Sequence, residues 1–448
     1  MSVKTETLLT APPLRLLLQM TGPNTVAFLI QSIVTLAEVW IISQLGTQGL
    51  AAIALVFPLL ILNQAMSAGA VGGAISSAIA RNLGKGDTDS AEKLIWQGFY
   101  LSFMVATAFL AIFLLGGERF LRFLGGEGAI LQAAMNYCYV LFIGGYFIWL
   151  SSATSSVFRG CGNMILPARL MVIASLIQVP LSGGLVLGWF GLPQLGVAGA
   201  ALSAVLMNGT TGIIMLLLLF QKRAAPILRR AQAAWDSALM SQILLVARPA
   251  SLNPLMNVAT ILGLTALVGR FGESALAGYG IGTRIEFLML PVIFAFGTAL
   301  TTIVGTNIGA GQYDRAEAAG WYGVLCAGLL AGSTGVVLAL FPNVWIPLFT
   351  NDPDVVGVAS HYIVIVGPAY AGLGIGLVLY FASQGAGAMR WPVLGMILRF
   401  VISVGGASYC VLYLEMGLEA IFYAGALGMS LYAIFIATAI FKGAWRPS

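Results

Sequence analysis

Between Arg15 and Arg81 the chain carries a single charged side chain, the carboxylate of Glu38. A stretch this long without further charges predicts helices that cross a lipid bilayer, because one span needs about 20 apolar residues. A carboxylate inside such a stretch is unfavourable by about 2.5–3.5 kcal/mol on insertion scales. Such residues typically face a protein interior or a water-filled cavity, so we expect Glu38 to be functional rather than a structural acid paired with a neighbouring donor.

The remainder of the chain has the same character. Of its 448 residues, 59% are hydrophobic and only 8% are charged, whereas a soluble domain carries about 25% charged residues. We therefore predict an all-α integral membrane protein with twelve transmembrane helices. The twelve segments of sufficient length lie near 15–44, 50–80, 94–116, 129–157, 165–190, 195–220, 241–269, 275–307, 318–342, 356–386, 392–414 and 418–441.

The distribution of basic residues predicts the orientation of these helices. If the N-terminus is cytoplasmic, the outside connections hold only Arg119, Arg122 and Arg270. Arg284 and Arg399 lie within helices, and the inside connections hold the remaining Lys and Arg residues. By the positive-inside rule, both termini are expected in the cytoplasm of a bacterial cell, with the protein in its cytoplasmic (inner) membrane. The longest polar connection, residues 221–241, predicts a cytoplasmic linker, either a plain connection or an amphipathic helix on the inner leaflet.

An internal repeat divides the chain into a six-helix bundle at 1–220 and a second at 242–448. The turn at 82–92 shares Asn, Gly, Gly, Asp, Ala and Glu with the turn at 307–317, in constant register. Repeats with an even number of spans enter from the same side, so we expect a pseudo-twofold axis along the membrane normal, as in transporters. Asp89 and Asp314 are expected to cap the helices that follow these turns.

Other chemistries find no support in the sequence. The four cysteines match no metal spacing, there is one histidine, and neither paired carboxylates nor a nucleophile–base set is visible. We therefore expect no enzyme activity, no metal site and no cofactor. The net charge of +5 is small, so we expect no nucleic-acid partner, and nothing requires more than a monomer in the bilayer.

These features together resemble the multidrug and toxic compound extrusion (MATE) family of prokaryotic type. The resemblance rests on the paired turns, on Arg159-Gly-Cys-Gly-Asn163 before Pro167, on the segment 196–201 (GVAGAA), and on the opening pattern of Pro23, Gln31 and an acid at 38. It implies a secondary antiporter that exports amphipathic, often cationic drugs or metabolites by alternating access, in exchange for a cation.

The resemblance also implies roles for particular residues. The family carries an Asp, fifteen residues after a Pro, that takes part in cation coupling, and Glu38 stands fifteen residues after Pro23. Glu38 is thus the expected coupling residue and Pro23 a helix pivot. Gln31 matches a position that lines the drug cavity in some relatives.

The sequence departs from the family at other acidic positions. Some relatives carry an Asn and an Asp in the fifth helix where Gln178 and Ser182 stand here, and others carry an acid in the seventh helix, near Asn257. The coupling ion therefore stays open. A lone carboxylate favours the proton, and sodium is the alternative.

Charged and polar residues in other spans complete the set of candidates. Arg284 and Glu286 are two residues apart and do not share a helix face, so each should find a partner on another helix, in either a cation or substrate site or a structural ion pair. Arg399 is expected to snorkel or pack. The candidates for an amphipathic substrate cavity are Gln31, Asn63, Tyr139, Gln178, Asn257 and Glu286.

One alternative function is left open. A flippase for a lipid-linked oligosaccharide or another lipid-like substrate shares the fold of the wider superfamily. It predicts a more basic central cavity than these residues provide.

Overall fold

The computed structural model describes residues 5–221 and 233–446, and every regular element in these ranges is a helix. Eleven helices there are long and apolar enough to cross a membrane, and the pair Gly128–Ile143 and Gly145–Gly160, bent by 49°, brings the count to twelve. The prediction of an all-α membrane protein is confirmed, and each predicted segment coincides with one span. Spans 1 to 12 are Pro13–Ser43, Thr47–Gly84, Thr88–Phe123, the bent pair, Ile165–Leu187, Val197–Leu219, Ser237–Gly269, Glu273–Gly309, Tyr313–Leu340, Pro353–Ala386, Arg390–Leu412 and Glu419–Phe441.

Several spans are irregular inside the expected membrane region. Span 2 contains a π-helical segment at Ala65–Val71, and span 11 contains another at Val401–Gly406. Span 10 passes through a 3-10 turn at Gly367–Ala369. A π segment widens the helix and changes which backbone groups pair, and such segments are frequent at functional sites. The regular elements that lie outside the spans are a short helix at Thr5–Thr10 and 3-10 turns at Trp189–Gly191, Pro342–Val344 and Ile346–Leu348.

The chain divides into two compact units, which differ from the predicted bundles at both boundaries. The first unit comprises Gly22–Ala247 with the N-terminal residues up to Thr7, and the second comprises Leu8–Thr21 and Arg248–Ser448. The divisions therefore fall at three places: inside the short helix Thr5–Thr10, inside span 1 near Pro23, and inside span 7 near Pro249. The initial residues of span 1 thus group with the second unit, and the initial residues of span 7 group with the first.

Each unit is held together by close packing of apolar and small residues. In the first unit a continuous apolar cluster joins spans 1 to 6 and includes Ile42, Val56 and Phe142. In the second unit, spans 9 and 10 approach backbone to backbone, because a Cβ on Gly335 would lie 1.9 Å from the carbonyl oxygen of Gly367. Small residues at such crossings let helices pack closely where lipid supplies no hydrophobic driving force between them.

The repeated turns do not use the predicted caps, so that prediction is wrong. Span 3 is capped by Asp87, whose Oδ1 accepts a hydrogen bond from the Ser90 backbone N–H at 2.9 Å, whereas Asp89 lies inside the helix and pairs with Lys93 at 2.7 Å. Span 9 begins after Gln312, which makes no side-chain cap. The repeat therefore preserves the turn but not the capping residue, since Gln312 stands where the first turn has Asp87.

The end of the predicted linker is attached to the first unit. Nε2 of Gln97 on span 3 donates to the Ala234 carbonyl at 2.8 Å, and the Tyr100 hydroxyl donates to the Ala233 carbonyl. The Trp235 ring lies 6.1 Å from that of Tyr100. The basic segment 222–232, where an amphipathic helix was one expectation, lies outside the described residues.

Candidate functional site

The Glu38 carboxylate lies within the first unit, where it contacts two other spans. Its Oε1 atom accepts a hydrogen bond from Nε2 of Gln178 on span 5 at 2.9 Å and another from Oγ of Ser203 on span 6 at 3.5 Å. Both donors are buried. In residues 5–221 and 233–446 no Lys, Arg or His forms an ion pair with Glu38. Neutral donors stabilise a carboxylate without neutralising it, so a proton or a small cation can still bind there.

The local sequence of span 5 explains how Gln178 reaches this position. Gln178 and Ser182 are four residues apart and share a helix face, and Pro180 lies between them inside the helix. Ser182 is fully buried, and its hydroxyl has no hydrogen-bond partner in the described part of the chain. At the two positions of the fifth helix where some relatives carry Asn and Asp, this chain thus has Gln178, whose amide contacts Glu38, and Ser182, a buried hydroxyl one turn further along.

A small polar cavity includes Gln178, the partner of Glu38, in its wall and is lined by residues of the first unit alone. Its volume is about 40 Å³, enough for a few water molecules or a small cation. Gln178, whose Nε2 donates to Glu38, is therefore a residue common to the carboxylate's contacts and to the cavity wall. Gln31 lines it too, and Oγ of Ser175 donates to Oε1 of Gln31 at 3.5 Å. The lining residues are Gln31, Ser151, Ser155, Pro167, Met171, Ala174, Ser175, Gln178, Met207, Asn208, Thr211 and Met215.

Two other first-half candidates lie elsewhere in the unit. Asn63 is buried, and its Oδ1 accepts a hydrogen bond from Nε1 of Trp149 at 3.1 Å. Tyr139 is exposed and packs edge-on against Phe113, with ring centroids 5.6 Å apart. Neither lines the cavity that Gln178 lines. Pro23 lies inside span 1, which continues as helix on both sides of it.

The charged residues of span 8 take separate partners in the second unit. The Glu286 carboxylate accepts a hydrogen bond from the Tyr362 hydroxyl on span 10 at 3.1 Å. The Arg284 guanidinium lies 5.0 Å from the ring centroid of Phe349. The two residues thus turn to different elements, as expected for positions two apart. The described residues include no ion pair of Glu286.

Asn257 and Arg399 form a contact that sequence reasoning missed. Nη1 of Arg399 on span 11 donates to Oδ1 of Asn257 on span 7 at 3.2 Å, and Nδ2 of Asn257 donates to Oδ1 of Asn253 at 2.8 Å. Arg399 was expected to snorkel or to pack, and its buried Nε favours the second of these. The available signal was its depth, since it follows Arg390, the first residue of span 11, by nine residues, or about 14 Å along a helix.

Comparison with known proteins adds relatives in sequence. The MatE family model matches residues 23–182 and 249–407. The "FAD transporter" of Shewanella oneidensis is 30% identical over 383 residues, which cover 84% of this chain and 82% of that protein. The "Probable multidrug resistance protein NorM" of Thermotoga maritima is 25% identical over 72% of this chain and 69% of its own length.

Solved structures show the same fold. A transporter of the MOP superfamily from Pyrococcus furiosus, described as having a binding pocket of reverse polarity, superposes with a TM-score of 0.90 at 24% identity and covers both chains completely. A multidrug resistance transporter in an outward-facing conformation superposes with a TM-score of 0.88, also at 24% identity, over 99% of this chain and 98% of its own.

Proposed function

The chain belongs to the MatE family, whose members are transporters and not enzymes, and we propose that it is a cation-coupled antiporter that exports amphipathic substrates by alternating access. The coupling residue is Glu38, and the coupling ion is the proton. The observation that carries the proposal is Gln178, because this one side chain both holds the Glu38 carboxylate and lines the polar cavity of the first unit. The coupling ion, through Glu38, and the substrate, in the cavity, therefore both affect Gln178.

Protonation changes what Glu38 does in this site. The ionised carboxylate accepts hydrogen bonds from Gln178 and Ser203. Once protonated, it loses its charge and gains a donor, so these contacts weaken and the side chain is released from spans 5 and 6. Pro23, fifteen residues earlier on the same helix, removes one backbone hydrogen bond and supplies the pivot. Two solved structures of the same fold are described as MATE in the straight conformation and MATE in the bent conformation.

Substrate binding requires the cavity to widen. A drug-sized ligand occupies a pocket of about 300–1,000 Å³, well above the present volume of about 40 Å³. Three methionines in the wall, Met171, Met207 and Met215, can repack around varied shapes. The amides of Gln31 and Asn208 supply polar contacts. Amphipathic, often cationic molecules suit this combination of soft apolar wall and nearby carboxylate.

A second substrate class is favoured by one relative. The Shewanella oneidensis protein carries the name of a FAD transporter, and a nucleotide of that kind combines a large aromatic body with negative phosphates. Arg399 gives the second unit an intramembrane cation. A flippase for lipid-linked substrates is the remaining alternative. We place the protein in the cytoplasmic membrane of a bacterium, as a monomer with both termini in the cytoplasm.

Efflux from proteoliposomes tests the proposal. A fluorescent cation is loaded, and its exit is followed under an imposed proton gradient or an imposed sodium gradient. Proton-driven efflux is expected for the wild type and is expected to be lost in Glu38→Gln, which keeps the shape of the side chain and removes its charge.

The matched control is Glu286→Gln in the second unit, which should keep proton-driven efflux. Efflux driven by sodium alone would overturn the assignment of the ion. Proton-driven efflux that survives in Glu38→Gln would overturn the assignment of the residue. No efflux under either gradient would make the flippase the function to test next.

A further inference from the structure

The second unit contains an arginine, Arg399, that lies within a membrane span and forms no ion pair with an acid in the described part of the chain. Arg399 lies about 14 Å along span 11, near the middle of a hydrocarbon layer about 30 Å thick. A guanidinium at that depth normally pairs with an acid or faces a cavity. Arg399 instead donates from Nη1 to the neutral amide of Asn257, and its buried Nε has no acceptor among the described residues.

One acid, Glu286, interacts with Arg399 without pairing with it directly. Glu286 is close enough to interact with Arg399 electrostatically, but its carboxylate accepts its hydrogen bond from Tyr362 and makes no ion pair in the described part of the chain. The other titratable groups near Arg399 are the phenols of Tyr279 and Tyr432.

A second polar side chain, Tyr432, interacts electrostatically with the guanidinium. Tyr432 on span 12 is 1% exposed, and its hydroxyl has no partner in the ranges that the structure describes. Its ring is fixed against Gly395, where an added Cβ would lie 3.1 Å from Cδ2. Gly395 precedes Arg399 by one helical turn and shares its face. The Tyr432 ring also packs against Gly376 of span 10, so Tyr432 and Arg399 belong to the same region where span 11 meets its neighbours.

The backbone at this place is irregular as well. The π-helical segment of span 11 begins at Val401, two residues after Arg399. Segments of this kind occur frequently at functional sites, because they reposition side chains relative to a regular helix. Buried donors without acceptors are rare in folded proteins and call for a specific partner.

We propose that Arg399 and Tyr432 form an oxyanion-recognition site in the second unit, which binds the phosphate or carboxylate group of a transported substrate. The planar guanidinium presents several N–H donors to such a group, and the phenol adds an O–H donor. This inference rests on the proposed transport function and develops its second substrate class, namely amphipathic molecules that carry a phosphate or carboxylate group. Asn257 positions the guanidinium through its contact with Nη1.

Equilibrium binding tests the site without any ion gradient. Full-length protein in lipid nanodiscs is titrated with riboflavin and with riboflavin 5′-phosphate, a fluorescent pair that differs only in the phosphate. The wild type should bind the phosphate form more tightly. Arg399→Gln should weaken binding of the phosphate form by about ten- to a hundredfold, the range expected for lost charge-assisted hydrogen bonds, and leave riboflavin binding unchanged. Unchanged riboflavin binding also shows that the variant is folded.

Three further variants separate recognition from structure. Tyr432→Phe, which removes only a hydroxyl, should reduce the phosphate preference severalfold. Arg284→Gln, a matched arginine of the same unit, should leave it unchanged. If Arg399 merely neutralised Glu286, the double variant Arg399→Gln/Glu286→Gln would regain the wild-type preference; we expect it to remain defective.

Several results would overturn the proposal. These are equal binding of the two flavins by the wild type, absence of binding by either, an equal loss of both in Arg399→Gln, or recovery in the double variant. The binding experiment imposes no gradient, so its result does not depend on the Glu38 efflux experiment. Phosphate selectivity can be found where coupled efflux is absent, and coupled efflux can be found where phosphate selectivity is absent. Failure of this site and failure of the proposed coupling are therefore distinguishable.

Discussion

Removal of the Gln178 side-chain amide should shift the pH dependence of transport. In Gln178→Leu the 2.9 Å hydrogen bond to Glu38 is lost, while a side chain of similar size still fills the wall of the cavity. A hydrogen bond to a charged group contributes about 1.5–3 kcal/mol, and about 1.36 kcal/mol corresponds to one pH unit. The bond stabilises the ionised form of Glu38, so without it protonation should occur at higher pH. The midpoint of the pH–efflux profile should rise by about one to two units.

The assay is the initial rate of dye efflux from proteoliposomes at a series of pH values, with a fixed pH difference across the membrane. The matched control is Asn63→Leu, which removes another buried amide of the first unit that bonds Trp149 rather than Glu38. The control should be less stable without a shift of the midpoint. A Gln178→Leu profile with an unchanged midpoint would refute the argument that this amide holds the coupling carboxylate in its ionised form.

Two further predictions concern stability and are read from thermal unfolding in detergent. Asp87→Ala should destabilise the protein by about 1 kcal/mol, as loss of a helix cap does. Hydrogen bonds from Ser90 hold the pKa of the Asp87 carboxyl below its usual 3.8. The stability difference should therefore be present at neutral pH and disappear as the pH falls through that lowered pKa. Gly335→Ala should destabilise strongly, because its Cβ would lie 1.9 Å from the Gly367 carbonyl oxygen; Gly357→Ala, with nothing within 4 Å of the added atom, should be neutral or stabilising.

Each of the two stability predictions would be contradicted by a different result. An Asp87→Ala protein whose deficit persists unchanged at the lowest pH tested would mean that the carboxylate is not the source of the stabilisation. Equal unfolding temperatures for Gly335→Ala and Gly357→Ala would mean that spans 9 and 10 can separate without loss.

The fold was largely predictable because the bilayer imposes a length on each helix. Every apolar segment of about 20 residues became a span, and the rarity of charge made the segments easy to delimit. The bend at Gly144 was not predictable, since no proline marks it. The grouping of residues 8–21 with the second unit was also not predictable, because it depends on contacts with residues hundreds of positions away.

The candidate site was predictable in its acid but not in its surroundings. Glu38 stood out because a lone carboxylate in an apolar run is energetically unfavourable. Ser203 carries no comparable signal, since serines occur throughout the spans and bond their own helix backbone. For Asn63 and Tyr139 the sequence signal was present but misleading. Their polarity suggested that they line a cavity, whereas in the structure Asn63 accepts a hydrogen bond from Trp149 and Tyr139 is exposed. The cap at Asp87 was missed because the repeat drew attention to the shared Asp89.

The most direct test of the central claim is proton movement itself. A pH-sensitive dye inside proteoliposomes reports whether adding substrate to one side moves protons to the other, in the wild type and in Glu38→Gln. Coupling through Glu38 predicts a substrate-induced pH change in the wild type and none in the variant, even where the variant still binds substrate. A substrate-induced pH change of the same size in Glu38→Gln would contradict the claim that this carboxylate carries the coupling ion.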